Sequence, residues 1–227
     1  MKIVVLTGAG ISAESGLATF RDADGLWEGH DPMRVATPEA FAAEPDLVHR
    51  FYDQRRARLA RVEPNAAHRA LARLEASVGD DLLVVTQNVD DLHERAGSER
   101  VHHMHGRLRS AWCVACGERH DWEETLGDRP PCPACGSASL RPDVVWFGEI
   151  PYGMDAVEEA LWECDLFVAI GTSGQVYPAA AFVHWARHDT LELNLDASST
   201  SSDFAQARRG PATELVPAWV DELLGSA

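Results

Sequence analysis

Apolar positions along the chain follow two rhythms. Ile3, Val4, Val5 and Leu6 form an unbroken run that stops at Gly8, as expected of a strand buried on both faces of a parallel sheet. Residues 82–86 and 165–170 are further runs of this kind, and residues 191–195 read as a fourth strand. Between these runs the spacing changes to three and four. Pro38 opens a helix carrying Phe41 and Pro45 breaks it. A second helix then carries Leu47, Val48, Phe51, Tyr52 and Leu59, with Arg50, Arg55, Arg56, Arg58 and Arg61 on a solvated face. Asn65 caps a third helix with the stripe Ala67, Leu71 and Leu74, closed at Gly79 and Asp80. Residues 151–163, 177–187 and 213–224 also read as helical, the last amphipathic. Strands alternating with helices predict an α/β fold with a doubly wound parallel sheet. Residues 25–61 and 108–141 interrupt the alternation as two insertions, the first helical, the second poor in apolar residues and loop-rich.

Of the 227 residues 45% are hydrophobic and 25% charged, enough for one large core and a small satellite. A net charge of −16 and a pI near 4.9 oppose non-specific binding to nucleic acid or to an anionic membrane. No apolar run is long enough to span a bilayer, and no basic-then-apolar leader precedes the first strand. A soluble cytoplasmic protein is the expectation, without a membrane or a specific nucleic acid as partner.

The turn after the first strand has Gly8, Gly10 and Ala13 at G-x-G-x-x-A spacing, with Ser12 and Ser15 as short polar donors. Small residues there let the backbone approach a pyrophosphate and the next helix sit close to the sheet. Glycine-rich turns also occur without a ligand. An ordinary dehydrogenase would place an acidic ribose ligand at the end of a second strand about 20 residues on. Here residues 20–27 do not read as a strand, so the ribose contact comes from elsewhere, with Asn194 and Asp196 as candidates. Gln87, Asn88 and Asp90 follow one strand and Gly171, Thr172 and Ser173 another. Both groups lie at the carboxyl ends of strands, where ligands of open α/β sheets bind. Asn88 and Asp90 would serve equally well as caps of the following helix.

Four of the five cysteines form two C-x-x-C pairs, Cys113 with Cys116 and Cys132 with Cys135, fifteen residues apart. That spacing suits four thiolates around one tetrahedral zinc, and four sulfur ligands leave no open position, so the zinc is structural. Cys164 reads as a packed thiol. His105 lies where the main domain hands over to the second insertion and is a candidate general base. His102 and His103 compete with it.

Six motifs coincide in order: residues 8–16 (GAGISAESG), Thr19-Phe20-Arg21, Gln87-Asn88-Val89-Asp90, His105-Gly106, the two C-x-x-C pairs and Gly171-Thr172-Ser173. Together they resemble the sirtuin family of NAD-dependent protein-lysine deacylases, across essentially the whole chain. The resemblance implies a Rossmann-like NAD-binding domain from residues 1–24, 62–107 and 142–227. A small domain would be built from the helical insertion 25–61 and the zinc-binding insertion 108–141. It implies that the acyl-lysine carbonyl oxygen attacks C1′ of the nicotinamide ribose and that nicotinamide leaves. His105 then acts as general base on a ribose hydroxyl, and water releases free lysine and O-acyl-ADP-ribose. Asn88 and Asp90 would hold the nicotinamide amide, Phe20 would shield the ribose, and Arg21 and Gln87 would orient NAD. Further NAD contacts would come from Gly8, Ala9, Gly10, Ser12, Ala13, Trp27, Val89, Gly171, Thr172, Ser173, Asn194, Leu195, Asp196 and Ala212. The substrate backbone would add as a strand between Val144, Val145, Phe147 and Gly148 on one side and Gly174 and Val176 on the other.

Tyr52 and Arg55 lie at i, i+3 on one helix, so both can face one pocket. The pair resembles that of the bacterial class III sirtuins, which remove succinyl and malonyl as well as acetyl groups. A guanidinium binds a distal carboxylate through paired hydrogen bonds and a phenol adds a third. Ala18-Thr19 departs from the family, which often has proline before the Phe-Arg pair. A sirtuin-like ADP-ribosyltransferase shares this chemistry up to the final nucleophile. A zinc-containing dehydrogenase would need an open metal site and an early acidic ribose ligand, and a zinc-ribbon module for nucleic acid would need a basic surface. Acylated-lysine proteins are the expected partners, and a monomer the expected state.

Overall fold

The computed structural model describes residues 1–18, 27 and 29–225. In chain order its elements begin with β1 (Ile3–Thr7), the single turn α1 (Gly10–Ala13), α2 (Pro32–Val35), α3 (Pro38–Ala43), α4 (Pro45–Leu59) and α5 (Ala66–Val78). Next come β2 (Leu82–Thr86), α6 (Leu92–Arg95), β3 (Val101–His103), β4 (Gly106–Cys113), β5 (Arg119–Asp121) and β6 (Leu140–Val144). Last are α7 (Met154–Glu163), β7 (Leu166–Ile170), α8 (Phe182–Trp185), β8 (Asp189–Asn194), β9 (Gln206–Arg209) and α9 (Ala212–Gly225).

Six strands form one parallel sheet in the order β3-β2-β1-β7-β8-β9. The chain builds outward from β1 in one direction and from β7 in the other, so the strand order reverses between them. Each fully apolar strand feeds both faces. Ile3 and Val5 join Leu71 and Leu74 of α5 and Val216, Trp219 and Val220 of α9 in one layer. Val4 and Leu6 join Val157 and Leu161 of α7 and Phe182 and Val183 in the other. Each such side chain taken fully out of water contributes about 1.5–3 kcal/mol, which is why β1 and β2 are apolar up to their closing threonines, Thr7 and Thr86.

The two edge strands β3 and β9 escaped the reading from apolar runs. They contain His102, His103, Gln206, Arg208 and Arg209, polar residues that suit an edge facing water. The second insertion is also more regular than its composition suggests: β5-β4-β6 form an antiparallel sheet. β5 is only three residues long, β6 contains Arg141, Pro142 and Asp143, and β4 contains Arg107, Arg109 and Ser110, so none shows as an apolar run. Residues 177–187 hold only a short 3-10 turn, Ala179–Ala181, and the four-residue α8 rather than one helix.

In the first insertion α2, α3 and α4 each begin with a proline, where the missing N–H costs nothing. Asp31 and Thr37 cap α2 and α3 by accepting from Met33 and Ala40 N–H groups. Pro45 therefore starts α4 as well as ending α3. Asn65 caps α5 as expected, with His68 reaching back to the Asn65 N–H. A third core of Trp27, Val48, Phe51, Tyr52, Leu59, Val144 and Trp146 joins the helical insertion to the loop after β6. Arg56 is not on the solvated face expected of it. It is buried, pairs with Asp53 at 2.7 Å, and donates to the carbonyls of Leu108 (3.0 Å) and Glu124 (3.1 Å), tying α4 to the second insertion. Among the described residues no helix is long and apolar enough to cross a membrane.

Candidate functional site: a crevice at the strand-order reversal

The turn after β1 lies against the end of β7. Gly8 N–H donates to the Ile170 carbonyl at 3.0 Å and Gly10 N–H to the Gly171 carbonyl at 2.9 Å. A Cβ on Gly10 would lie 2.7 Å from the Gly171 Cα, and one on Gly171 would lie 2.4 Å from the Ile11 nitrogen. Gly171 also has φ +63°. These glycines therefore serve backbone-to-backbone packing at the reversal point as well as any ligand. The N–H groups of Gly8, Gly10, Ile11 and Ser12 are taken within the chain. Ala9 N–H has no partner among the described residues. Ala13, at the end of α1, is exposed.

Around this turn lies a buried polar network. The Ser12 hydroxyl donates to Asp90 Oδ2 at 3.0 Å, and Asn88 Nδ2 donates to the Gly8 carbonyl (3.1 Å) and to Ser12 Oγ (3.2 Å). Asp90 Oδ1 also accepts from the N–H of Leu92, the first residue of α6, at 3.2 Å, while the N-cap position itself is Asp91. Burial pushes the Asp90 carboxyl up, against the opposing Leu92 and Ser12 hydrogen bonds. His68 Nε2 lies 3.4 Å from Ser12 Oγ. A parallel branch runs from His93 Nε2 to Thr7 Oγ1 at 3.0 Å, and the Thr7 hydroxyl donates to Thr86 Oγ1 at 2.8 Å. Thr86 Oγ1 in turn accepts from Asn88 N–H at 3.0 Å. The His68 and His93 rings meet edge to face at 5.0 Å. Burial lowers both, His68 to about 4 and His93 to about 3, so both are neutral near pH 7. Thr7, Thr86, His68 and His93 were not found from the sequence. The one signal was His68 at the third helical position after an Asn cap.

The three histidines of residues 101–107 are told apart by their partners. His102 Nε2 meets the Tyr152 carbonyl at 2.8 Å. Both ring nitrogens of His103 are occupied, by the Asn88 carbonyl (3.2 Å) and by Glu94 Oε1 (2.6 Å). His105 donates from Nδ1 to the Gln87 carbonyl at 3.1 Å, and its Nε2 has no partner among the described residues. Burial lowers the His105 pKa and the Gln87 hydrogen bond opposes that shift. His105 is thus placed on the Gln87–Asp90 segment with a nitrogen to spare, and Val145 N–H donates to its carbonyl at 2.9 Å.

Other candidates surround the crevice. Val89 accepts from Leu108 N–H. Asn194 Nδ2 donates to the Thr172 carbonyl at 2.6 Å, bringing the ends of β7 and β8 together. Leu195 and Asp196 beyond it are exposed, as is Ser173. Ala212 opens α9, next to Thr213, whose N–H and hydroxyl donate to Glu14. Phe20 and Arg21 lie outside the described residues. Trp27 packs against Phe51 and Tyr52 at 5.1 and 6.4 Å between ring centres. The Arg55 guanidinium sits over its ring at 4.1 Å. Tyr52 is fully buried, and burial pushes its phenol up to about 12.

Several main-chain groups of the segment after β6 are already engaged. Phe147 N–H donates to Ala36, Trp146 N–H to Glu149 Oε2, and the Val144 carbonyl accepts from Arg141. Gly148 has φ +90° and is exposed with Phe147. Gly174 N–H donates to Thr172 Oγ1, and the Val176 carbonyl accepts from Ala180.

The four paired cysteines converge, with ligand atoms within 4.8 Å of one another. The Cys113–Cys135 and Cys116–Cys132 sulfur separations are 3.7 and 3.8 Å. Sulfurs at about 2.3 Å from a tetrahedral zinc stand about 3.8 Å apart, so the donor set fits one zinc ion and leaves no open position. Cys164 lies elsewhere, buried, donating to the Leu161 carbonyl at 3.3 Å.

The chain is similar to known proteins over nearly its whole length. A model of the Sir2 family matches residues 8–178. An NAD-dependent protein deacylase of Pasteurella multocida (strain Pm70) is 54% identical over 230 residues, covering 99% of this chain and 98% of the relative. The crystal structure of a Sir2 homologue–NAD complex superposes with a TM-score of 0.90 at 38% identity, covering 99% of this chain and 90% of that one. A Sir2 complex with a deacetylated p53 peptide and 3′-O-acetyl-ADP-ribose gives a TM-score of 0.85 at 28% identity, covering 97% and 93%.

Proposed function

The chain belongs to the Sir2 family, and from that premise we propose that it removes succinyl and malonyl groups, as well as acetyl, from protein lysines. It is an NAD-dependent protein deacylase, as its relatives are, acting on protein substrates. NAD, when bound, supplies an electrophilic ribose carbon whose leaving group is nicotinamide. The crevice fits such a dinucleotide: close-packed glycines let the backbone approach, Ala9 N–H is open, and Ser12, Asn88 and Asp90 converge beside it. Asn88 and Asp90 hold the amide end, and Gly8, Gly10, Thr172, Ser173, Asn194 and Ala212 line the path of the phosphates and adenosine. His105 takes a proton at Nε2, the nitrogen left open when Nδ1 donates to Gln87. The zinc, when bound, holds the second insertion together and takes no part in the chemistry.

The observation that carries the acidic-acyl reading is the pair Tyr52 and Arg55 on one turn of α4, with the guanidinium laid over Trp27. A cation held at the end of an acyl pocket favours a chain that ends in a carboxylate over one that ends in a methyl group. The substrate backbone adds beside Val144, Val145, Phe147 and Gly148 and beside Gly174 and Val176. The division into a main domain and two insertions supports a cleft between them. The net charge of −16 opposes nucleic acid or an anionic membrane surface as partner, and a cytoplasmic monomer belongs to the same proposal. Side-by-side kinetics on acetyl-, malonyl- and succinyl-lysine versions of one peptide test the reading. Arg55→Met loses desuccinylation far more than deacetylation; equal loss of both refutes the pocket.

A further inference from the structure

Trp146 stands where the acyl-pocket helix meets the substrate segment. Its indole Nε1–H donates to the Tyr52 hydroxyl at 2.9 Å. Both rings are out of solvent, at 2% exposure for Trp146 and 0% for Tyr52. A phenol hydroxyl lies near its ring plane and has one proton to give. With the indole donating to its oxygen from one side, that proton turns to the other. No described residue accepts it. A buried O–H without an acceptor is unfavourable and marks a place that a ligand completes.

The indole itself is tightly held. Trp146 N–H donates to Glu149 Oε2 at 2.8 Å. The Arg141 guanidinium lies 3.4 Å from the ring centre. Arg141 binds both oxygens of Glu149, at 2.7 and 2.9 Å, and the Val144 carbonyl at 2.8 Å. A cation on the ring face also strengthens the N–H as a donor, so the direction of the Tyr52 proton is set by a rigid group rather than by a rotor.

We propose that Trp146 is a positioning residue for acyl selectivity: by donating to the Tyr52 oxygen it aims the phenol proton at the carboxylate that Arg55 binds. This rests on the acidic-acyl reading above. An acetyl group ends in a methyl and offers no acceptor to that proton, so the arrangement acts on the succinyl-to-acetyl ratio.

The test is the ratio of kcat/KM for a succinyl-lysine and an acetyl-lysine peptide of one sequence at saturating NAD. It is measured for the unaltered enzyme, Trp146→Phe, Tyr52→Phe, their combination and Arg55→Met. Trp146→Phe and Tyr52→Phe each lower the ratio about tenfold, mainly through the KM of the succinyl peptide, and the combination lowers it no further than Tyr52→Phe alone. An unchanged ratio in Trp146→Phe, or losses that multiply in the combination, overturns the proposal. Should Arg55→Met leave the ratio intact, the acidic-acyl reading itself fails. Should Arg55→Met collapse it while Trp146→Phe does not, only the orienting role falls. If Trp146→Phe does not fold, the benzothiophene isostere of tryptophan at position 146 has the same shape without the N–H and gives the same comparison.

Discussion

His105 donates a hydrogen bond from Nδ1–H to the main-chain carbonyl of Gln87 at 3.1 Å, which leaves the lone pair of the neutral ring on Nε2. The acceptor is a backbone atom, so the tautomer does not depend on the Gln87 side chain. Burial lowers the His105 pKa, so the unprotonated base persists below the usual histidine value. The acid limb of the kcat/KM profile is expected to fall at a pH below about 6.5, the ordinary histidine pKa. His105→Ala is expected to cost about 10²–10⁴-fold in rate, as for removal of a general base. A profile measured at saturating NAD checks the first, and single-turnover rates check the second.

His68 and His93 make a separate prediction about stability. Both are neutral in the folded chain, with pKa values of about 4 and about 3. Above pH 6.5 they are neutral in the unfolded chain too and add no pH dependence. As pH falls below 6.5 the unfolded chain takes up protons that the folded chain refuses, and stability drops until the folded values are reached. Each contributes a slope of up to about 1.4 kcal/mol per pH unit in that window. Urea midpoints from pH 7 to 5 are expected to fall accordingly, and His93→Gln is expected to flatten the curve by about one proton.

Arg56 joins α4 to the second insertion through Asp53, Leu108 and Glu124, and Asp53 in turn accepts from the Thr125 hydroxyl and the Leu126 and Gly127 N–H groups. Arg56→Leu leaves Asp53 without its buried partner and is expected to cost about 3–5 kcal/mol. Because the latch holds the zinc-bearing segment, the same change should speed zinc release to a chelator. Metal release followed by absorbance, alongside a thermal melt, reads both effects.

Gly171 occupies a position with φ +63° and no room for a Cβ against Ile11 N–H and Gly10. The left-handed backbone alone costs a non-glycine residue about 1–2 kcal/mol, and the clash is with backbone atoms that cannot swing aside. Gly171→Ala is therefore expected to lose more stability than that, together with NAD affinity. Titration calorimetry with ADP-ribose on whatever fraction folds would show it.

Legibility in the sequence followed how local each feature is. The C-x-x-C pairs carry their geometry in their spacing, and the four sulfurs converge as that spacing requires. β1, β2 and β7 read as strands from their apolar runs because both faces are buried, whereas β8 alternates, with Glu192 buried between Leu191 and Leu193. Tyr52 and Arg55 share a helical turn, so their proximity could be read directly. The network of Thr7, Ser12, His68, Thr86, Asn88, Asp90 and His93 could not, since three stretches far apart in sequence (7–12, 68 and 86–93) meet there only after the sheet forms. Arg56 looked solvated because helical spacing shows which face a residue is on but not what packs against it. β3 and β9 stayed hidden because edge strands have no need of an apolar face.

The most direct test follows the products of one reaction: a succinyl-lysine peptide incubated with the protein, with and without NAD, and resolved by mass spectrometry. The account predicts free-lysine peptide, nicotinamide and O-succinyl-ADP-ribose in equal amounts, only when NAD is present and not with His105→Ala. Unmodified succinyl peptide with ADP-ribose attached to protein, or deacylation without NAD consumption, would contradict it.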